Sequence, residues 1–184
     1  RNIKELKILI ENLCEKDFLI ISEISSLISK TLRSGGCIFW CGNGGSASQS
    51  QHLAAELIGR FKNNRVPYRS LSLTSDSTVI TCISNDFGYE NLFSRQLEAL
   101  GNEGDLLMVL SSSGNSINLK NAIKTAKSKS IKSISLLKKK GGLIKDYADY
   151  SLIINSDITV RIQELHNLIG HIICEIVEDE LNEK

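Results

Sequence analysis

Three groups of residues in this 184-residue chain are of types that do chemistry. His52 and Glu56 stand four apart, so on a helix they share a face, and an imidazole beside a carboxylate can form an acid/base pair or chelate a metal. Gln163, His166 and His171 follow near the other end of the chain. The third group is a pair of strings, Gly42-Asn43-Gly44-Gly45-Ser46 and Ser111-Ser112-Ser113-Gly114-Asn115-Ser116. Glycine lets backbone come close to an anion, serine hydroxyls add donors, and each string opens a helical pattern whose N-terminus offers free N–H groups. Two such loops facing one crevice would cradle a phosphate monoester.

Other readings of these residues narrow quickly. No Gly-Lys-Ser/Thr follows either string, which excludes a P-loop, and no acidic residue closes a second strand where a dinucleotide fold needs one. His166 and His171 lie about 140° apart around a helix, so both cannot easily face one point. Gln163 pairs with His166 by angle, although the roughly 12 Å of rise and 80° of rotation to His171 can be bridged by two long side chains. Taken singly, each histidine is more often a structural surface or core residue than a functional one. The cysteines at 14, 37, 41, 82 and 174 form no CxxC pair, which argues against a cysteine-built zinc site. Cys37, Cys41 and Cys174 read as small core residues.

The elements that must hold these groups are legible in the apolar pattern. Buried strands are predicted at Cys37–Cys41, Ser70–Leu73, Leu106–Leu110, Ser133–Leu137 and Ser151–Ile154. Helical patterns fall at about 46–59, 76–84, 90–100 and 116–128, with a last amphipathic helix from about Val160 to Leu181. Alternation of this kind predicts a doubly wound, five-stranded parallel sheet with helices on both faces. Two further helices over 1–34, ending at Gly35-Gly36, precede the α/β core of 35–184. In such sheets ligands bind beyond the carboxyl ends of the strands, where both glycine/serine strings fall.

Composition sets the outer bounds. Hydrophobic residues are 41% and charged residues 23%, the profile of one globular domain spanning 1–184. Lys plus Arg is 22 against 21 for Asp plus Glu, which argues against a nucleic-acid binder driven by phosphate neutralisation. The lysine-rich stretch from Lys124 to Lys140 reads as solvated faces of a helix, a strand and a loop. No apolar run is long enough to span a membrane. Charges interrupt the first residues, unlike a secretory signal, and the expected compartment is the cytoplasm.

The order and spacing of the motifs resemble the sugar isomerase (SIS) domain family, and within it the phosphoheptose isomerases. The resemblance rests on Cys41–Ala47, on Gln51–Leu57 with Gly59-Arg60-Phe61, on Ser84–Gly88, Phe93–Gln96 and Ser111–Ser116, and on Arg161–His166 with His171. It implies conversion of sedoheptulose 7-phosphate to D-glycero-D-manno-heptose 7-phosphate through an enediol, the entry to heptose for bacterial lipopolysaccharide core or capsule. It implies Glu56 as base and His171 as acid, and one zinc ion per subunit on His52, Glu56, Gln163 and His171. The phosphate would be held by Ser46, Ser111, Ser113 and Ser116, and the sugar by Asn43, Gly44, Asn85, Asp86 and Gln163; Gly45, Ser112 and Glu56 would also contact the substrate. A homotetramer with sites at subunit boundaries is implied as well.

Three positions depart from the family pattern. Gln49 stands where an acidic residue is common, Ser112 replaces a threonine, and Leu137-Lys138-Lys139-Lys140-Gly141-Gly142 replaces a loop that usually begins with Thr or Ser and Gly. A non-catalytic SIS scaffold, resembling the replication-initiator-associating factor, is the competing expectation; that pattern lacks a Glu and a His at the places of Glu56 and His171. A sugar-phosphate sensor would add a helix-turn-helix, and the two leading helices lack its basic character.

Overall fold

A computed structural model describes residues 1–182. The chain runs α1 (Asn2–Glu11), α2 (Glu15–Arg33), β1 (Ile38–Gly42), α3 (Gly45–Ile58), β2 (Ser70–Ser72), α4 (Ser77–Phe87), α5 (Leu92–Leu100), β3 (Leu106–Ser111), α6 (Ile117–Ser128), β4 (Lys132–Lys138), β5 (Tyr150–Ile154) and α7 (Thr159–Asn182). All five strands are parallel, in the order β2-β1-β3-β4-β5.

Strand periodicity explains why helices cover both faces. Successive side chains point to opposite sides of a sheet. Ile38 and Trp40 of β1, with Leu106, Met108 and Leu110 of β3, enter one core with α2, α3 and α7. Phe39 and Cys41, with Leu107 and Val109, enter the other with α4, α5 and α6. The fully buried indole of Trp40 donates its Nε1–H to Ser70 Oγ at 2.9 Å, so no polar atom of that side chain is stranded. Cys37, Cys41 and Cys174 are buried, as their apolar neighbours predict, and Cys14 and Cys82 are exposed. The leading pair of helices does not stand apart: α2 supplies Ile21, Ile24 and Ile28 to the first core, and Leu9 of α1 packs against it.

Two features of this fold decide where the site lies. The order 2-1-3-4-5 reverses between β1 and β3, so the loops leaving those two strands diverge to opposite faces and open a crevice between them. Helices α3 and α7 also approach closely. A Cβ on Gly170 of α7 would stand 2.6 Å from the methyl carbons of Leu53 on α3, so only glycine permits this approach without displacing Leu53. The neighbours of those two residues are His171 and His52.

Candidate active site

The crevice between β1 and β3 is lined by Asn43 and Ser46 from one loop and by Ser111, Ser112, Ser113 and Ser116 from the other, over Leu110 and Leu119. Gly44 has φ +56°, which lets the chain turn sharply into α3. Gly114 has φ +69°, and its own N–H donates to Ser111 Oγ at 3.0 Å. Ser111, Ser113 and Ser116 place their hydroxyl oxygens in a row at 3.4 Å spacing. Ser116 is the N-cap of α6 but makes no side-chain cap bond, which leaves its hydroxyl for a ligand. No side chain lining this crevice carries a formal charge. An anion there is held by neutral donors and by the N-terminal ends of α3 and α6.

The two loops are locked together. Asn43 Nδ2 donates to Asn118 Oδ1 at 3.0 Å, and Asn118 Nδ2 donates back to Asn43 Oδ1 at 2.9 Å. Tyr89 adds its hydroxyl proton to the same Asn43 oxygen at 2.8 Å. With that oxygen taken twice, Asn43 has only its remaining amide proton to offer the crevice, so it recognises an acceptor.

Further along α3 a second cluster forms. His52 and His171 face each other Nε2 to Nε2 at 2.7 Å, and Glu56 Oε1 lies 3.5 Å from His52 Nε2. One ligand atom from each of the three lies within 4.8 Å of the others. The Phe61 ring sits 5.5 Å from that of His171 and walls one side. Two imidazole nitrogens and a carboxylate oxygen, without sulfur, suit zinc or a similar divalent ion, and equally suit a coupled acid and base. Gln163, near the start of α7, lies apart from this cluster against the first residue of α3: a Cβ at Gly45 would stand 2.5 Å from its Nε2, so the glycine makes room for the amide. Its carbonyl accepts from Gln49 Nε2. Around it, Gly45, Ser48, Gln49, Val160, Gln163, Glu164 and Asn167 line a cavity of about 530 Å³.

The SIS domain model matches residues 2–137. A phosphoheptose isomerase from Akkermansia muciniphila is 46% identical over 88% of this chain and 85% of its own, and one from Sulfurimonas denitrificans is 47% identical over 93% and 86%. The solved phosphoheptose isomerase GmhA of Neisseria gonorrhoeae superposes with TM-score 0.86 at 34% identity, covering 96% of this chain and 92% of that one. The chain belongs to the SIS domain family, among the phosphoheptose isomerases. A solved phosphoheptose isomerase from Francisella tularensis gives TM-score 0.88 at 33% identity, covering 95% and 92%.

Against the family pattern the three departures now have places. Gln49 reaches across to the first turn of α7, with its Oε1 buried and unpaired beside the cavity. Ser112 lines the crevice with its neighbours. Lys138, Lys139 and Lys140 surround a hollow with Asn115, Gly142 and Asp157 at the end of β4, next to the serine loop. The family residues Asn85 and Asp86 lie on exposed α4, where Asn85 Nδ2 donates to Asp86 Oδ1 at 2.7 Å and neither bonds to the serine loops. Tyr89, just beyond them, bonds instead to Asn43 in the loop after β1.

His166 and His171 have opposite fates. His166 is fully buried, and neither ring nitrogen has a hydrogen-bond partner of good geometry. Burial pushes it down to about 4, which the nearby Leu137 backbone only partly opposes. It is neutral in the fold and takes up its proton on unfolding near pH 6.5. Folding stability should therefore fall as pH drops from about 6.5 towards 4, by about 3 kcal/mol from this residue. Urea unfolding of wild type and His166→Leu across that range checks it: the gap between the two should shift in favour of the variant as pH falls. A constant gap would mean that the ring is already charged or solvated.

Sequence reading passed over Asn118 and Tyr89. Asn118 carried a signal, being a polar residue beside Leu119 at buried helical spacing with Ala122. Tyr89 carried none beyond an aromatic after Phe87-Gly88.

Proposed function

We propose that this chain converts sedoheptulose 7-phosphate to D-glycero-D-manno-heptose 7-phosphate. The observation that carries the reading is the meeting of His171, from α7, with His52 and Glu56 on the helix that also opens the phosphate crevice. The phosphate sits among Ser46, Ser111, Ser112, Ser113 and Ser116. Asn43, Gly44, Asn85, Asp86 and Gln163 meet the sugar hydroxyls.

The Glu56 carboxylate takes a proton from C1, the C1–C2 double bond forms, and the C2 oxygen takes a proton from His171. The hydroxyl proton at O1 then returns to His171 while Glu56 delivers its proton to C2, which leaves an aldehyde at C1. His52, at 2.7 Å from His171, fixes the tautomer and orientation of that ring. A zinc ion held by His52, Glu56 and His171, with Gln163 as the family's fourth ligand, would supply Lewis-acid polarisation of the sugar oxygens.

The resemblance also supports a cytoplasmic homotetramer that feeds heptose to surface glycans. Exposed Ile3, Ile8, Phe18 and Leu19 on α1 and α2 are apolar surface suited to subunit contact. Among the described residues no helix is long and apolar enough to cross a membrane. The scaffold alternative gives no reason for an acid, a base and a second imidazole to meet at one point.

Incubation with sedoheptulose 7-phosphate, with and without added zinc, followed by proton NMR of the anomeric region, tests the proposal. The aldose product should accumulate to equilibrium. Folded protein that gives no product in either condition would return the scaffold reading.

A further inference from the structure

The active pair of helices is braced by two buried residues that touch no ligand. Arg65, in the segment between α3 and β2, has a side chain 2% exposed, and Glu178, on α7, one 1% exposed. Their charged groups lie 3.4 Å apart, Arg65 Nε to Glu178 Oε2. The guanidinium donates to the last carbonyls of α3, Nη2 to Glu56 O at 2.8 Å and Nη1 to Leu57 O at 2.9 Å. Those carbonyls are among the four that a helix C-terminus leaves without intrahelical partners. The carboxylate accepts the backbone N–H groups of Phe61 at 3.0 Å, Lys62 at 3.2 Å and Asn63. Burial pushes the Glu178 carboxyl up, but those three N–H donors and Arg65 outweigh it and hold it below the usual carboxylate value.

What this brace joins is specific. Glu56, whose own carbonyl Arg65 grips, is the base assigned above. Phe61, whose N–H Glu178 grips, packs its ring on His171. Glu178 lies two turns beyond His171 on α7, within about 20° of the same face. One charge pair thus fixes the backbone under Glu56, the wall behind His171 and the helix that carries it.

We infer that Arg65 and Glu178 are positioning residues that set the distance between Glu56 and the His52–His171 pair. This rests on the proposed isomerase reading for its kinetic consequence, but the geometry can be read without it. Replacing a buried ion pair by apolar groups of similar size is often neutral for stability, whereas removing one partner is not. The double variant Arg65→Met/Glu178→Leu therefore separates positioning from folding, and Glu178→Gln gives a milder second case that keeps the size and the acceptor oxygen.

Two readouts are needed in variants whose melting temperature and secondary structure match wild type. The first is the NMR signature of the His52–His171 contact in metal-free protein labelled at histidine, a downfield shared Nε2 proton. The second is kcat and KM on the phosphosugar. In the double variant the shared-proton signal should vanish and kcat should fall at least tenfold with KM changed less than threefold, because the serine crevice is untouched. Glu178→Gln should give the same pattern more weakly. A folded double variant that keeps the shared proton and wild-type kcat overturns the inference. If wild type shows the shared proton but no turnover, the isomerase reading fails and the proton alone decides the positioning role. Should the double variant not fold, Glu178→Gln decides: an unchanged signal and kcat overturn the inference.

Discussion

Glu56→Gln should lower the isomerisation rate by about 10²–10⁴-fold, the usual contribution of a general base. Glutamine keeps the size of the side chain and one acceptor oxygen but cannot take the C1 proton. Glu56 is half-buried at the edge of the site and supplies no apolar side chain to the core, so the fold should persist. Ser46 and the Ser111–Ser116 loop hold the phosphate independently of it, so KM should move little. The sharpest measurement is exchange of the substrate's C1 protons with deuterated solvent, which reports enolisation even when product release is slow. Wild-type exchange in the variant would remove Glu56 as the base and leave His171 as the candidate.

Gly114→Ala should act on binding instead. Its φ of +69° costs an L-residue roughly 1–2 kcal/mol. A Cβ there would also stand 2.2 Å from the Gly141 carbonyl oxygen, a backbone atom that cannot step aside. The Ser111–Ser116 loop must then part from the 141–142 turn, against which Ile144 N–H now donates to Gly114 O at 3.0 Å. Each hydrogen bond lost to the dianionic phosphate weakens binding by about 1.5–3 kcal/mol. KM for the phosphosugar and Kd for inorganic phosphate should both rise at least tenfold, with kcat at saturation much less affected. Calorimetric titration with inorganic phosphate checks this, and unchanged affinity would mean that the crevice does not hold the phosphate.

Much of this was readable before any coordinates. The strands are apolar runs between turn residues, and both glycine/serine strings follow such runs, so the crevice was predictable from strand order alone once the sheet reverses between β1 and β3. Which histidine of α7 meets His52 was less so. Angle favoured His166, but Ile162, Leu165, Ile169 and Ile173 show which side of α7 faces inward, and His166 lies on that stripe while His171 lies off it. Helical angle says which residues share a face; packing says which face meets α3. Arg65 and Glu178 had a fainter trace. Glu178 falls among Cys174, Val177 and Leu181, a carboxylate at core spacing, but nothing in sequence indicates that a residue more than a hundred positions away meets it. That contact exists only because α7 returns across the sheet beside α3.

The short β2 has a consequence for how copies of this chain can meet. It lies at the edge of the sheet, is three residues long, and begins three residues after Pro67. An edge that short offers too few free N–H and C=O groups to template an added strand, and proline before it stops the strand from lengthening towards its N-terminus. Cross-strand aggregation is thus discouraged at this edge of the sheet, and self-association on this side falls to helix faces, where contacts are made by side chains and can be tuned one residue at a time.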